Sequence, residues 1–130
     1  GADPTSTHFT VGELSTNNAN NGEYIAMLFA SVDKISKCGF YDGSDASQTI
    51  TTGFAPRFLL IRNISVVVDW IVLDTTRGWS SGNDQYLELN TSDAQATLNI
   101  GDPTSTGFTL EGNKGKTNNA GDKFIYYAHS

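Results

Sequence analysis

Apolar and polar residues alternate in short runs along this chain, and clusters of Gly, Asn, Asp, Ser and Thr separate the runs. Period-two alternation puts successive side chains on opposite faces of an extended segment, so each run predicts a half-buried strand. Residues 9–11 (Phe-Thr-Val) and 108–110 (Phe-Thr-Leu) alternate in this way, and residues 24–30 and 124–128 each follow a polar, Gly-containing turn. Residues 37–41 and 48–52 flank Asp42-Gly43-Ser44-Asp45, whose residue types supply positive φ and local capping; this predicts a hairpin. Residues 57–63 and 66–74 are rich in Leu, Ile and Val on both faces, the pattern of strands buried in the middle of a sandwich, with Trp70 expected in the core. Residues 86–90 alternate again, with Leu87 and Leu89 expected to face inward. No segment sustains the i, i+3, i+4, i+7 pattern of a helix, and residues 92–98 leave room for one turn at most. The expectation is an all-β, antiparallel two-sheet sandwich of jelly-roll or lectin-like type with about nine strands.

The pattern also repeats. Asp3-Pro4-Thr5-Ser6-Thr7-His8-Phe9-Thr10 returns as Asp102-Pro103-Thr104-Ser105-Thr106-Gly107-Phe108-Thr109, seven of eight residues being identical. Thr16-Asn17-Asn18-Ala19 returns as Thr117-Asn118-Asn119-Ala120, and Gly22-Glu23-Tyr24-Ile25 as Gly121-Asp122-Lys123-Phe124-Ile125 with a one-residue slip. Matches that keep their order at a spacing of about 100 residues are the signature of a tandem array. Residues 1–31 are then expected to be the C-terminal part of a preceding repeat and residues 32–130 a complete one. The first segment is expected to pack along the edge of the complete repeat, as residues 107–130 would at their own edge, or on a neighbouring subunit. The opening Gly1-Ala2-Asp3, in place of Met, predicts a piece cut from something longer.

Composition narrows the function classes. Ser, Thr, Asn and Gly supply roughly two fifths of the 130 residues, which favours turns and strands over helices. A net charge of -6, with 8 basic against 14 acidic residues and no basic cluster, disfavours a nucleic-acid partner, because phosphate backbones require a positive surface. The longest near-continuous apolar run, residues 65–73, is far short of the ~20 residues of a membrane-spanning helix, so no membrane insertion is expected. Cys38 is the sole cysteine; it can form no intrachain disulfide and is expected to be buried. The sequons at Asn63 and Asn90 are expected as chance matches in so Asn- and Thr-rich a chain.

Candidate chemistry is sparse. His8 stands where the other copy has Gly107, and His129 is penultimate, so neither fits a nucleophile–base pair. Asp69 and Asp74 resemble a carboxylate pair, but Asp74 capping a turn while paired with Arg77 is the ordinary structural role. No catalytic residue is assigned. Trp79 and Tyr86, around the loop Ser80-Ser81-Gly82-Asn83-Asp84, are the aromatic pair that could stack on a sugar ring. Asp84 and Asp93 offer oxygen ligands of the kind Ca²⁺ takes, without matching a calcium-loop motif. No cofactor is expected beyond that ion.

From Lys37 onward the chain resembles a domain of unannotated function that recurs in virion structural proteins, tail-fibre-like or head-associated, of marine tailed bacteriophages. The resemblance is carried by Gly39-Phe40-Tyr41-Asp42-Gly43, Arg57-Phe58-Leu59-Leu60-Ile61, Leu87-Glu88-Leu89-Asn90 and, most specifically, Asp69-Trp70-Ile71-Val72-Leu73-Asp74-Thr75-Thr76-Arg77-Gly78. It implies a non-enzymatic module on a phage fibre, spike or capsid surface, located in the virion, with other virion subunits or copies of itself as partners in a homo-oligomer. A host-surface glycan is the further partner it suggests. The alternatives are a lectin-like glycan-binding module using Trp79 and Tyr86, or a repeat of a bacterial extracellular surface or filament protein.

Overall fold

The computed structural model of this chain describes residues 3–130; Gly1 and Ala2, on which the expectation of an excised piece rested, lie outside the described residues. A short helix α1 (Ser15–Asn18) precedes nine strands: β1 (Ser36–Asp42), β2 (Gln48–Thr51), β3 (Phe58–Asn63), β4 (Ile71–Asp74), β5 (Asp84–Glu88), β6 (Ala96–Leu98), β7 (Pro103–Thr104), β8 (Gly107–Leu110) and β9 (Lys123–His129). They form two antiparallel sheets, a six-stranded one ordered β1-β9-β3-β4-β5-β6 and a three-stranded one ordered β2-β8-β7. The chain is thus an all-β, two-sheet sandwich.

Alternation decides which side chains fill it. Leu59 and Ile61 of β3, Ile71 and Leu73 of β4, and Phe124, Tyr126 and Ala128 of β9 point toward the small sheet and are buried. Phe108 and Leu110 of β8 meet them, together with Trp79 and Ile100. Phe108 lies edge-on to Trp79 at 6.4 Å and to Tyr126 at 5.4 Å, and Tyr41 stacks on Phe124 at 5.0 Å. Each such fully buried side chain contributes about 1.5–3 kcal/mol of transfer free energy.

Several expectations change. The nine strands include β6 and β7 but not residues 9–11 or 24–30, which have no strand partner. Residues 107–130 do not lie at an edge, since β8 is central in its sheet and β9 runs between β1 and β3. The predicted hairpin about residues 42–45 is a corner instead: β1 pairs with β9 and β2 with β8, so the chain changes sheet there. Asn118, fully buried, holds that corner. Its Oδ1 accepts from the Ser44 N–H at 2.7 Å and the Gln48 amide at 2.6 Å, and its Nδ2 donates to the Ala46 and Glu111 carbonyls, each at 3.1 Å. Gly43 is required because a Cβ there would stand 2.1 Å from the Asn119 carbonyl oxygen.

In β5 the expected face is inverted. Tyr86 packs on the core opposite Leu73, while Leu87 pairs with Val72 on the outer side and Leu89 is exposed. The buried Asp84 sets this phase, and a one-residue change of phase moves every side chain to the other face. Trp70, expected in the core, is half-buried on the outer face, and Cys38 is likewise partly exposed there. Asn63 is fully buried, with its Nδ2 donating to the Gly115 carbonyl and to Asp122, so its sequon has no accessible amide.

Candidate functional site

Of the residues expected to bind a sugar or Ca²⁺, Trp79 lies in the loop between β4 and β5, Asp84 and Tyr86 lie in β5, and the structure turns these three toward the protein interior. Trp79 is 1% exposed and its indole N–H donates to the Gly101 carbonyl at 2.6 Å. It therefore has no free face for a sugar ring, and Tyr86 points to the same core. Asp84 is also fully buried: its carboxylate accepts from the N–H groups of Ser80 (3.2 Å), Ile100 (2.7 Å) and Gly101 (3.1 Å). Burial pushes its pKa above the ordinary carboxylate value, against the opposing pull of those three N–H donors. A carboxylate that accepts from three backbone donors is a staple between the loop and residues 100–101, and its burial keeps it from the surface, where a cation would bind. Gly101 completes the staple, since a Cβ there would lie 2.2 Å from the Thr109 carbonyl oxygen. Asp93 is elsewhere, exposed, with its own N–H on Thr91 Oγ1. Among the described residues no group of three or more His, Cys, Asp or Glu gathers as a metal site.

The carboxylates at the two ends of the Trp70 segment have separate partners. Asp74 accepts the Thr76 N–H at 2.7 Å and caps the turn as expected, but it does not pair with Arg77, whose guanidinium reaches Gln95 instead. Asp69 accepts from Asn90 Nδ2 at 3.0 Å and pairs with Lys116 at 3.2 Å, and Lys116 also bonds Glu88. The Asn90 hydrogen bond first, and then Lys116, hold Asp69 below the ordinary carboxylate range; Glu88 foremost raises Lys116.

The surface best formed for binding is the outer face of the six-stranded sheet. Strands β1, β9, β3 and the entry to β4 place Cys38, Ile125, Tyr127, Leu60 and Trp70 on that side. These residues, with Met27 and Phe29, line a predominantly apolar groove of about 390 Å³. The Arg62 guanidinium lies 5.5 Å from the Trp70 ring centre, and the backbone N–H of Trp70 donates to Asn90 Oδ1 at 2.8 Å, which fixes the main chain at the entry to β4. Phe29 covers Tyr127 with ring centres 4.5 Å apart. Two hydrogen bonds anchor its segment near β1: Ser36 Oγ donates to the Ala30 carbonyl at 2.7 Å, and Cys38 N–H donates to Ser31 Oγ at 2.9 Å. Beyond the groove, Phe40 of β1 is 83% exposed on the same face.

Sequence reasoning noted that residues 57–63 and 66–74 are apolar on both faces and assigned both faces to a sandwich interior. Only one face meets the second sheet. The apolar character of the other was the available signal for this groove. Among the described residues no helix is long and apolar enough to cross a membrane.

No curated protein and no solved structure matches this sequence. Over residues 1–130 it matches the family described as Domain of unknown function (DUF7483). The match spans residues 3–31 as well as both sheets, and the chain belongs to that family.

Proposed function

We propose that this chain is a non-enzymatic structural module of a virion, working in assembly on a phage fibre, spike or capsid surface through contacts with copies of itself or with other subunits. The observation that carries the assembly reading is the apolar outer face of the six-stranded sheet, where Phe40, Leu60, Trp70, Ile125 and Tyr127 share one side of a sheet whose other side already fills the core. An apolar sheet face of this kind is stabilised by association, since each buried Å² of apolar surface is worth about 25 cal/mol. The virion assignment rests on the sequence resemblance from Lys37 onward, above all the Asp-Trp strand followed by Asp-Thr-Thr-Arg-Gly.

The module would act mechanically. Antiparallel strands satisfy each other's backbone groups, the interior is filled by large rings and branched side chains, and neighbours meet through apolar faces. Peptide mass spectrometry of purified particles and of host envelopes tests the assignment. Peptides of this chain in the particle fraction, at a stoichiometry typical of structural proteins, support it; peptides confined to cell envelopes move the module to a bacterial surface protein.

A further inference from the structure

Residues 3–31 resemble the closing third of the folded module in local geometry as well as in sequence. Thr5 Oγ1 accepts the Thr7 N–H at 3.3 Å as Thr104 Oγ1 accepts that of Thr106 at 3.4 Å. The Thr5 N–H donates to the His8 carbonyl at 2.8 Å, where Thr104 pairs with Gly107 in the second copy. Gly22 N–H closes on the Ala19 carbonyl as Asp122 N–H does on Asn119, and the left-handed residue of each turn is Asn21 in one and Gly121 in the other. The turns of β7–β8 and of the β8–β9 connection are therefore present in outline, without the strands they join.

The alignment that matches Ile25 to Ile125 sets Tyr24, Ala26 and Leu28 against Phe124, Tyr126 and Ala128, the core-facing side of β9. It sets Met27 and Phe29 against Tyr127 and His129, the outer side. Met27 and Phe29 are also the two residues of this segment that line the groove, while Leu28 between them is 77% exposed and lies on the other side, beside residues 4–9. The period-two pattern and the observed contacts thus select the same face.

We infer that residues 24–30 are the β9-equivalent strand of a preceding module, and that successive modules stack with the outer faces of their six-stranded sheets together, Met27 and Phe29 of one module filling the groove of the next. The occupant of the groove is a second copy of this fold, bound through its own outer face. Residues 31–35 are then the junction: Val32 and Ser36 pair across it, and the Ser31 and Ser36 hydroxyls fasten it to the backbone on either side. Leu28 and Tyr24 would complete the core of the preceding module.

This inference rests on the structural-module part of the proposed function and is independent of which particle carries it. The test is a two-module chain in which residues 32–101 are placed ahead of residues 3–130, compared with the 130-residue chain by amide hydrogen exchange. In the 130-residue chain the amides of residues 24–30 should exchange quickly. In the two-module chain they should slow by at least about 100-fold, as paired central strands do. There Leu28→Asp should abolish that protection and unfold the first module. Phe29→Asp should leave both modules protected, but should shift Trp70 emission to the red and separate the two unfolding transitions. Unchanged exchange at residues 24–30, a first module that does not fold, or identical consequences from Leu28→Asp and Phe29→Asp would each overturn the inference. None of these outcomes depends on particle mass spectrometry, so failure of the stacking and failure of the virion assignment are read separately.

Discussion

Residues 102–109 and 3–10 carry almost the same sequence, and one lies at the heart of the sandwich while the other has no strand partner. Phe108 is fully buried between Trp79 and Tyr126; Phe9, its counterpart, is 46% exposed. Asn118 makes four hydrogen bonds inside a corner, whereas Asn17, its counterpart, sits in α1 with its side chain exposed. The turns of both copies nevertheless resemble each other. A turn is a local object whose hydrogen bonds lie within four residues, so its sequence is enough to make it. A strand needs at least one partner alongside it, and that partner can come from far along the chain.

Substitutions made in pairs, one in each copy, test this contrast. The largest difference is expected at the rings. Phe108→Ala should cost about 3–5 kcal/mol of folding free energy in urea titrations, and Phe9→Ala less than about 0.5 kcal/mol. Equal costs would mean that the first segment is packed as firmly as the second.

The amide pair should follow. Asn118→Ala removes the partners of the Ser44 N–H and of the Ala46 and Glu111 carbonyls at a partly buried corner, with an expected loss of about 1–3 kcal/mol, against almost none for Asn17→Ala. A thermal melt of the two variants decides it; a mild Asn118→Ala would show that the corner is held by Gly43 and the strand pairing alone.

Asp84→Asn tests a residue that has no counterpart in residues 3–31. Replacing one acceptor oxygen by an amide N–H that faces backbone donors should cost about 1–3 kcal/mol near neutral pH. The folded pKa of Asp84 lies above the ordinary 3.8, so the folded state keeps this proton at a pH where the unfolded chain has lost it. Stability from this group therefore falls as pH rises from about 3.8 through the folded value, and Asp84→Asn should remove that slope.

The smallest effect is expected at the surface, with Lys116→Met. Asp69 has a folded value below 3.8, so its contribution is complete above 3.8 and is lost as pH falls through the folded value. Lys116 is raised above 10.5, so its contribution is complete below 10.5 and is lost as pH rises through its own folded value. The variant should remove the alkaline limb of the stability–pH curve and only reduce the acid one, because Asn90 still bonds Asp69, while barely moving the neutral melting temperature.

Much of the sandwich was legible residue by residue. The both-sided apolar runs marked β3 and β4, and Phe108 and Phe124 announced β8 and β9 through alternation. The loop aromatics were less legible. Ser80-Ser81-Gly82-Asn83-Asp84 reads as a solvated loop, and a solvated loop suggests that Trp79 and Asp84 are exposed. The Ile100 and Gly101 N–H groups and the Gly101 carbonyl, supplied by residues 16 or more positions away, draw both side chains inward. The alternation in residues 86–90 fits either face equally well, and the burial of Asp84 chose the face opposite to the one that Leu87 and Leu89 favour.

The sequence by itself determined that this protein would be built of strands and tight turns, that its closing third is present twice, and that its two most apolar strands would be apolar on both faces. Those properties follow from side-chain period and turn chemistry, which act over a few residues. Tertiary structure alone decided which copy became strand, which sheet each strand joined, that the turn after β1 is a corner, and that an apolar face stays open outside the sandwich. Each of those outcomes depends on which distant segment supplies the hydrogen-bond partner and covers the apolar face, and one copy of the repeated segment has such partners in this chain while the other does not.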